Sequence, residues 1–469
     1  MSILIKNGYI LTVDPQRRMI KDGAIAIEGD KIVAVGKTEE ITKKYKKAEK
    51  VIDAKNCAVI PGLINTHTHL FQVLLRSLGD DLKLFDWWPN MVGPAAVHME
   101  NEDVYWSALT GSMELLKSGC TCTMDNYYPH PKWGLTDECL KAFTEIGIRA
   151  VEAVGGTDKS VPYFPPPKAL VKNTDSIIKE IVRLIKEWNG KADGRVKVWF
   201  GGGAPFANTD ELLEKEYDNA KKYGVGICTH LHETMDEVNQ WKKEYGGLSP
   251  IQYYYKKGIR FLGSNVVGIH CVWMDAEDLK IMAETDTKVS HNPVSNMYLA
   301  SGTCPVPKML DMGITVSLGV DGPASNNGQD MFELMKSTAL LQKVSTCNPT
   351  AITAEKVLEL ATIDGAKSLM MNKEIGSIEV GKKADIVIVD LKAANIAPVN
   401  RVASQLVYCA KASNVDTVIV NGKVVVEKGR LKTMKESKII ENVQRVTDEL
   451  VMRAGLEKLR EKKWTAKVD

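Results

Sequence analysis

The sequence predicts an α/β chain, a (β/α)8 TIM-like barrel carrying a small β-sandwich domain built from both termini. From residue 57 to about 370, apolar runs of strand length alternate with stretches of helical periodicity, the pattern of βαβ units. Eight such runs over roughly 300 residues match the count and length of a closed parallel barrel. No glycine-rich phosphate turn follows the first of them, which removes the main reason to prefer a doubly wound sheet.

The elements follow in order. Residues 1–60 read as short strands at 3–5, 9–13, 23–28, 31–35 and 51–53, punctuated by the turn signals Lys6-Asn7-Gly8 and Glu28-Gly29-Asp30. Residues 61–372 form the barrel. Its strands are expected at 58–66, 120–126, 148–154, 196–202, 225–232, 264–270, 287–291 and 314–320, and its helices at 101–118, 134–146, 174–188, 209–223, 275–284 and 327–344. Residues 373–469 return to strand composition at 384–390 and 417–426, so the β domain takes segments from both ends of the chain. From Lys432 the tail is charged and helical up to Lys463, a surface or subunit-contact helix suited to a homodimer or homotetramer.

Composition narrows the partner. A net charge of +2 with 26% charged residues lacks the basic face that nucleic acid requires, so a small molecule is expected instead. The nine cysteines are odd in number, scattered, and mostly set in apolar runs, which suits reduced thiols in the cytoplasm. The N-terminus lacks a basic segment followed by an apolar core, and nowhere do eighteen apolar residues run together. Neither secretion nor a membrane partner is expected.

The chemistry begins at Pro61-Gly-Leu-Ile-Asn-Thr-His67-Thr-His69. Side chains two apart on a strand point the same way, so both imidazoles converge after a buried apolar run. Working residues of a barrel sit where strands end. Of eight histidines, six fall there: His67 and His69 after the first strand, His230 and His232 after the fifth, His270 after the sixth and His291 after the seventh. Asp321 follows the eighth. His67, His69, His230 and Asp321 can hold one divalent ion with a position left for water, whose pKa falls from ~15.7 toward about 7 on such an ion. Glu233 is then the proton carrier, and His270 orients the attacking hydroxide. His232 shares a face with His230 and could replace it. His291 is either a substrate contact or a core residue, and Asp321 could instead cap the following helix. The reaction class is metal-assisted hydrolysis, with Glu233, His270 and Asp321 as the catalytic groups.

These motifs, with Gly319-Val-Asp-Gly-Pro-Ala-Ser-Asn-Asn327 and the late segment Glu374-Ile-Gly-Ser-Ile-Glu-Val-Gly-Lys-Lys-Ala-Asp-Ile-Val387, resemble the amidohydrolase superfamily in its cytosine deaminase-like branch. The resemblance implies that His67, His69, His230 and Asp321 bind one metal, zinc or sometimes iron, and that Glu233 and His270 handle protons. Two-metal relatives carry a bridging lysine at the end of strand four; here Lys197 stands near the start of that strand, and a mononuclear site follows. A second zinc-deaminase design is excluded, because His98-Met-Glu100 has no accompanying Pro-Cys-x-x-Cys.

The resemblance implies displacement of an amine from a nitrogen heteroaromatic ring, in an aminopurine, an adenosine derivative or an s-triazine. The alternatives are chloride displacement from a triazine and a non-catalytic scaffold, and the scaffold reading is disfavoured because every ligand position is filled. Asp86-Trp87 resembles the triazine hydrolases more than the nucleoside enzymes, where Glu-Trp is usual. Gly203-Ala-Pro205 also lacks the histidine those enzymes place there. Asp86, Trp87, Ser325, Asn326 and His291 are the candidate substrate contacts, with Trp87 stacking on a flat ring. Ser325 and Asn326 could equally cap the next helix.

Overall fold

The structure, a computed structural model, describes residues 2–461. Eight strands lie side by side in chain order: Leu63–Thr68, Cys120–Tyr127, Arg149–Val154, Val196–Gly201, Ile227–Leu231, Val266–His270, Lys288–His291 and Val316–Leu318. Each neighbouring pair is parallel, as crossover connections through helices require. The last strand returns to the first mainly through side chains. Thr66 Oγ1 donates to Leu318 O at 2.9 Å, and Val320 N–H donates to Asn65 Oδ1 at 2.9 Å. Asp321 N–H then donates to His67 O at 3.0 Å, which sets residue 321 beside residue 67.

The helices form where the pattern places them, and Thr174–Trp188 shows why. Asn173 caps it by accepting the Ser176 N–H at 2.8 Å. Ile177, Ile181, Leu184 and Ile185 recur at helical spacing and are buried against the strand layer. The chain leaves helical geometry at Asn189, whose side chain accepts the Val198 N–H at 3.1 Å and so ties the helix to the fourth barrel strand.

The structure corrects the expected strand 58–66. Its apolar run is continuous in sequence but serves two sheets: Cys57–Pro61 pairs antiparallel with Ile386–Asp390, and Leu63–Thr68 enters the barrel. The change of sheet falls at Gly62, where a Cβ would stand 1.9 Å from Thr121 Oγ1. The turn expected at Lys6-Asn7-Gly8 is instead an irregularity inside one strand, Ser2–Leu11. Asn7 takes a left-handed φ of 63°, and the pairing shifts between Ile5 and Gly8.

That strand belongs to a nine-stranded mixed sheet running from Arg430–Leu431 through Lys423–Glu427, Val415–Val420, Ile386–Asp390, Cys57–Pro61, Ser2–Leu11 and Met19–Glu28 to Lys31–Lys37, with Lys50–Asp53 paired to Ser2–Leu11. Both ends of the chain therefore contribute to it. A buried bidentate pair joins it to the barrel: Arg149 donates to both oxygens of Asp385 at 2.9 Å. The tail forms the helix Glu436–Arg453, and its packing on Asn101–Lys117 includes Lys117 Nζ at 2.7 Å from Glu436. The last two residues of the expected tail helix lie outside the described residues. All nine cysteines are free thiols, and among the described residues no helix is long and apolar enough to cross a membrane.

Candidate active site

The strand ends converge on one cluster of buried imidazoles and carboxylates. His67 is the penultimate residue of the first barrel strand, and His69 follows one residue past its end. Their rings stand edge to face with centroids 4.6 Å apart. The ring of His230, on the fifth strand, is 5.0 Å from that of His67 and stacks on His69 at 5.4 Å. Asp321 faces this group, with Oδ1 3.5 Å from His67 Nε2 and 3.8 Å from His69 Nε2. His270 stands on the other side of Asp321, its Nε2 3.8 Å from Oδ2 and 3.4 Å from Glu233 Oε2. His270 and Asp321 both adopt left-handed φ angles, 69° and 62°, an uncommon conformation for residues with side chains that is concentrated at functional sites.

Electrostatics suit a cation. Burial lowers the pKa of His69 to about 4, with His67 adding to the effect, and burial followed by the neighbouring imidazoles drives His230 well below its ordinary value. Both rings are therefore neutral at pH 7 and offer lone pairs. Burial pushes the Asp321 carboxyl up, but the close approach of His67 at 3.5 Å and the surrounding imidazoles outweigh it and hold the group well below the usual carboxylate range. Glu233 goes the other way: burial first, then the charges of Asp321 and Glu237, raise it well above the usual value.

The donor set fits a divalent cation. Ligand atoms of His67, His69 and Asp321 lie within 4.8 Å of one another, as do those of His67, His230 and His270. Both ring nitrogens of His67 are buried without a hydrogen-bond partner, an arrangement costing about 1–3 kcal/mol per group unless something fills it. His69 Nδ1 lies 2.7 Å from Asn126 O; that N–H donates outward and leaves the Nε2 lone pair facing inward. Lys197 is directed away from the cluster and pairs with Glu374 at 3.2 Å.

The cavity above the cluster is lined by Leu84, Trp87, Trp88, Tyr128, Phe164, Phe206, Leu299 and Ser325, with His69, His230, Glu233, His270 and Asp321 at its base. Trp87 is pinned by its indole N–H to Ala324 O at 3.1 Å, and Trp88 by its indole N–H to the Tyr128 hydroxyl at 3.0 Å. Successive helical residues turn by about 100°, so burial of both Trp87 and Trp88 turns Asp86 outward. Asp86 is exposed and does not line the cavity, contrary to the expected contact. Asn326 also stays off the wall, because its Nδ2 donates to Val320 O at 2.6 Å and ties down the loop.

His291 is fully buried outside the cavity beside Gln342, 3.4 Å from it, and burial lowers its pKa to about 3; it is a core residue. His232 turns away from the cluster, with Nδ1 3.3 Å from Trp273 O and 3.6 Å from the Asp278 carboxylate. His230 is the one whose ring packs against His67 and His69. Sequence reasoning missed Tyr128, Phe164 and Phe206 on the wall, and Asn292 and Asn296, whose amides contact His270. Tyr128 was findable, since it stands one residue past the end of a barrel strand.

A barrel whose strand ends gather buried imidazoles and a carboxylate suited to a cation, with a second carboxylate within reach, has the site of a metal-dependent hydrolase. The chain belongs to the amidohydrolase family, whose model matches residues 58–425. It is 42% identical over 453 residues to 5'-deoxyadenosine deaminase of Methanosarcina acetivorans, covering 97% of this chain and 99% of that one. Among solved structures, it superposes on a zinc-bound adenosine deaminase from Xanthomonas campestris with a TM-score of 0.87 at 29% identity, covering 96% of this chain and 98% of the other. It superposes on the zinc complex of an atrazine chlorohydrolase from Arthrobacter aurescens with a TM-score of 0.88 at 26% identity, covering 95% and 100%.

Proposed function

We propose that this chain hydrolyses the exocyclic amine of an adenosine derivative, releasing ammonia, with one zinc ion held by His67, His69, His230 and Asp321. The observation that carries the reading is the aromatic-walled cavity set directly over the carboxylate and imidazole cluster. Its faces suit a flat heteroaromatic ring, and its apolar upper part suits a nucleoside whose 5' end carries no charge. The 42% identity to a 5'-deoxyadenosine deaminase across nearly the whole chain supports the same choice. Asp86, which as a sequence signal favoured triazines, lies outside the cavity and carries no weight between the two.

A bound divalent cation supplies acidity, taking the pKa of a water from ~15.7 toward about 7. The remaining work falls to side chains. Glu233 accepts the proton of the attacking water and delivers it to the ring nitrogen next to the carbon under attack. Oxygen adds to that carbon, the carbon–nitrogen bond breaks, and the amine leaves as ammonia once it has gained a proton. His270 donates a hydrogen bond to the attacking oxygen, and Asp321 takes the second proton of that oxygen and passes it on to the leaving amine, which accounts for both protons of the water. Trp87 and Trp88 hold the ring and keep bulk water off it.

An ammonia-release screen over 5'-deoxyadenosine, other adenosine derivatives, guanine, cytosine and melamine tests this, with chloride release from atrazine followed in parallel. The adenosine derivatives should be turned over with the highest kcat/KM. Preferred chloride release from atrazine would replace this reading with the triazine hydrolase one, a choice the superposition on the chlorohydrolase makes concrete.

A further inference from the structure

We propose that Asn292 and Asn296 are positioning residues that hold His270 as the Nε2–H tautomer, so that this imidazole faces the reaction centre as a donor and is kept off the cation. The inference rests on the proposed catalytic reading and deepens it.

Proximity alone does not separate His270 from the ligands, because its ring nitrogens come as close to His67 and His230 as ligands would. The wiring of each ring does separate them. A neutral imidazole has one N–H and one lone pair, and the partner at one nitrogen decides what the other presents. His69 Nδ1 faces the carbonyl oxygen of Asn126, which can only accept; Nδ1 therefore carries the proton and Nε2 presents a lone pair. His270 is wired in the opposite sense. Its Nδ1 meets two amide nitrogens, Asn292 Nδ2 at 3.2 Å and Asn296 Nδ2 at 3.0 Å, which can only donate. The lone pair must then be on Nδ1 and the proton on Nε2, the nitrogen facing Glu233 and Asp321.

The orientation of Asn292 has its own support. Its Oδ1 lies 3.3 Å from the Ser290 hydroxyl, which can donate to it. With its oxygen taken, Asn292 turns its nitrogen to His270. Asn296 sits one helical turn further on, its N–H donating to Asn292 O at 3.0 Å, so both amides reach the same ring from one turn.

The test is nitrogen-15 NMR of the zinc-loaded enzyme labelled at histidine, with His270 assigned by its loss in His270→Phe. The wild type should show His270 protonated at Nε2, and the double variant Asn292→Asp with Asn296→Asp should show it protonated at Nδ1. In the cobalt-loaded double variant the visible bands should weaken as His270 joins the ion as an extra ligand. Turnover should fall about 10- to 100-fold with little change in KM, as expected when an outer partner of a site residue is altered. Asn296→Ala, which leaves Asn292 as a donor, should keep the wild-type cobalt bands. A wild-type His270 protonated at Nδ1 would overturn the proposal even if the double variant failed to fold, and so would wild-type cobalt bands in a folded double variant. If the wild type deaminates nothing, the functional reading fails while the tautomer remains decided by the spectrum.

Discussion

Replacing Glu233 by Gln is expected to reduce ammonia release by about 100- to 10,000-fold, the span attributed to a positioned proton carrier, while the metal content stays at that of the wild type. The separation is expected because Glu233 stands beside the cluster without being one of its proposed ligands: Oε2 is 3.4 Å from His270 Nε2, and Oε1 accepts from Ser301 Oγ at 3.4 Å. Gln fills the same space and its oxygen can keep the Ser301 bond, but it cannot take up a proton. The pH profile gives a second signature. Burial first, then the charges of Asp321 and Glu237, raise the pKa of Glu233, and only its ionised form can accept a proton. Turnover should therefore decline as pH falls through that raised value, and the residual turnover of Glu233→Gln should lack this limb. Steady-state kinetics across pH, paired with elemental analysis, check both, and near-wild-type turnover in the variant would remove Glu233 from its role.

The next largest effect is expected from His67→Leu, which should lose both the ion and the activity. Its loss of activity should exceed the roughly 10- to 100-fold caused by altering an outer partner. The stability result is more distinctive. Added zinc should stabilise the wild type by mass action and leave the variant unchanged. A variant stabilised by zinc as strongly as the wild type would contradict the assignment of His67 as a ligand.

What could be read in the sequence follows from what periodicity and strand ends encode. The barrel was legible because each helix carries its own amphipathic stripe, as Ile177, Ile181 and Leu184 do. The cluster was legible because a parallel barrel puts every strand's C-terminal end on one face, so His67, His230, His270 and Asp321 could be grouped despite their separation in the chain. The break at Gly62 was not legible, because Ala58 to Leu63 is apolar on both sides of the change of sheet and only the approach of Thr121 demands glycine there. Asp86 was misplaced because adjacency to Trp87 says nothing about which of the two a short helix turns inward. His291 obeyed the strand-end rule yet is buried away from the cavity, since alternate residues of a barrel strand face opposite sides. The aromatic wall was hidden for a further reason: Trp88, Phe164 and Phe206 come from three separate loops, and nothing in a single sequence pairs loops across a barrel mouth.

The central claim is that residues 67, 69, 230 and 321 share a single ion. Diffraction from crystals of the zinc-loaded protein, measured on either side of the zinc absorption edge, tests it most directly. One anomalous peak per chain is predicted, within about 2.0–2.2 Å of ring nitrogens of His67, His69 and His230 and of an Asp321 oxygen. A peak elsewhere, or a second peak of equal height in the same cluster, would contradict the account.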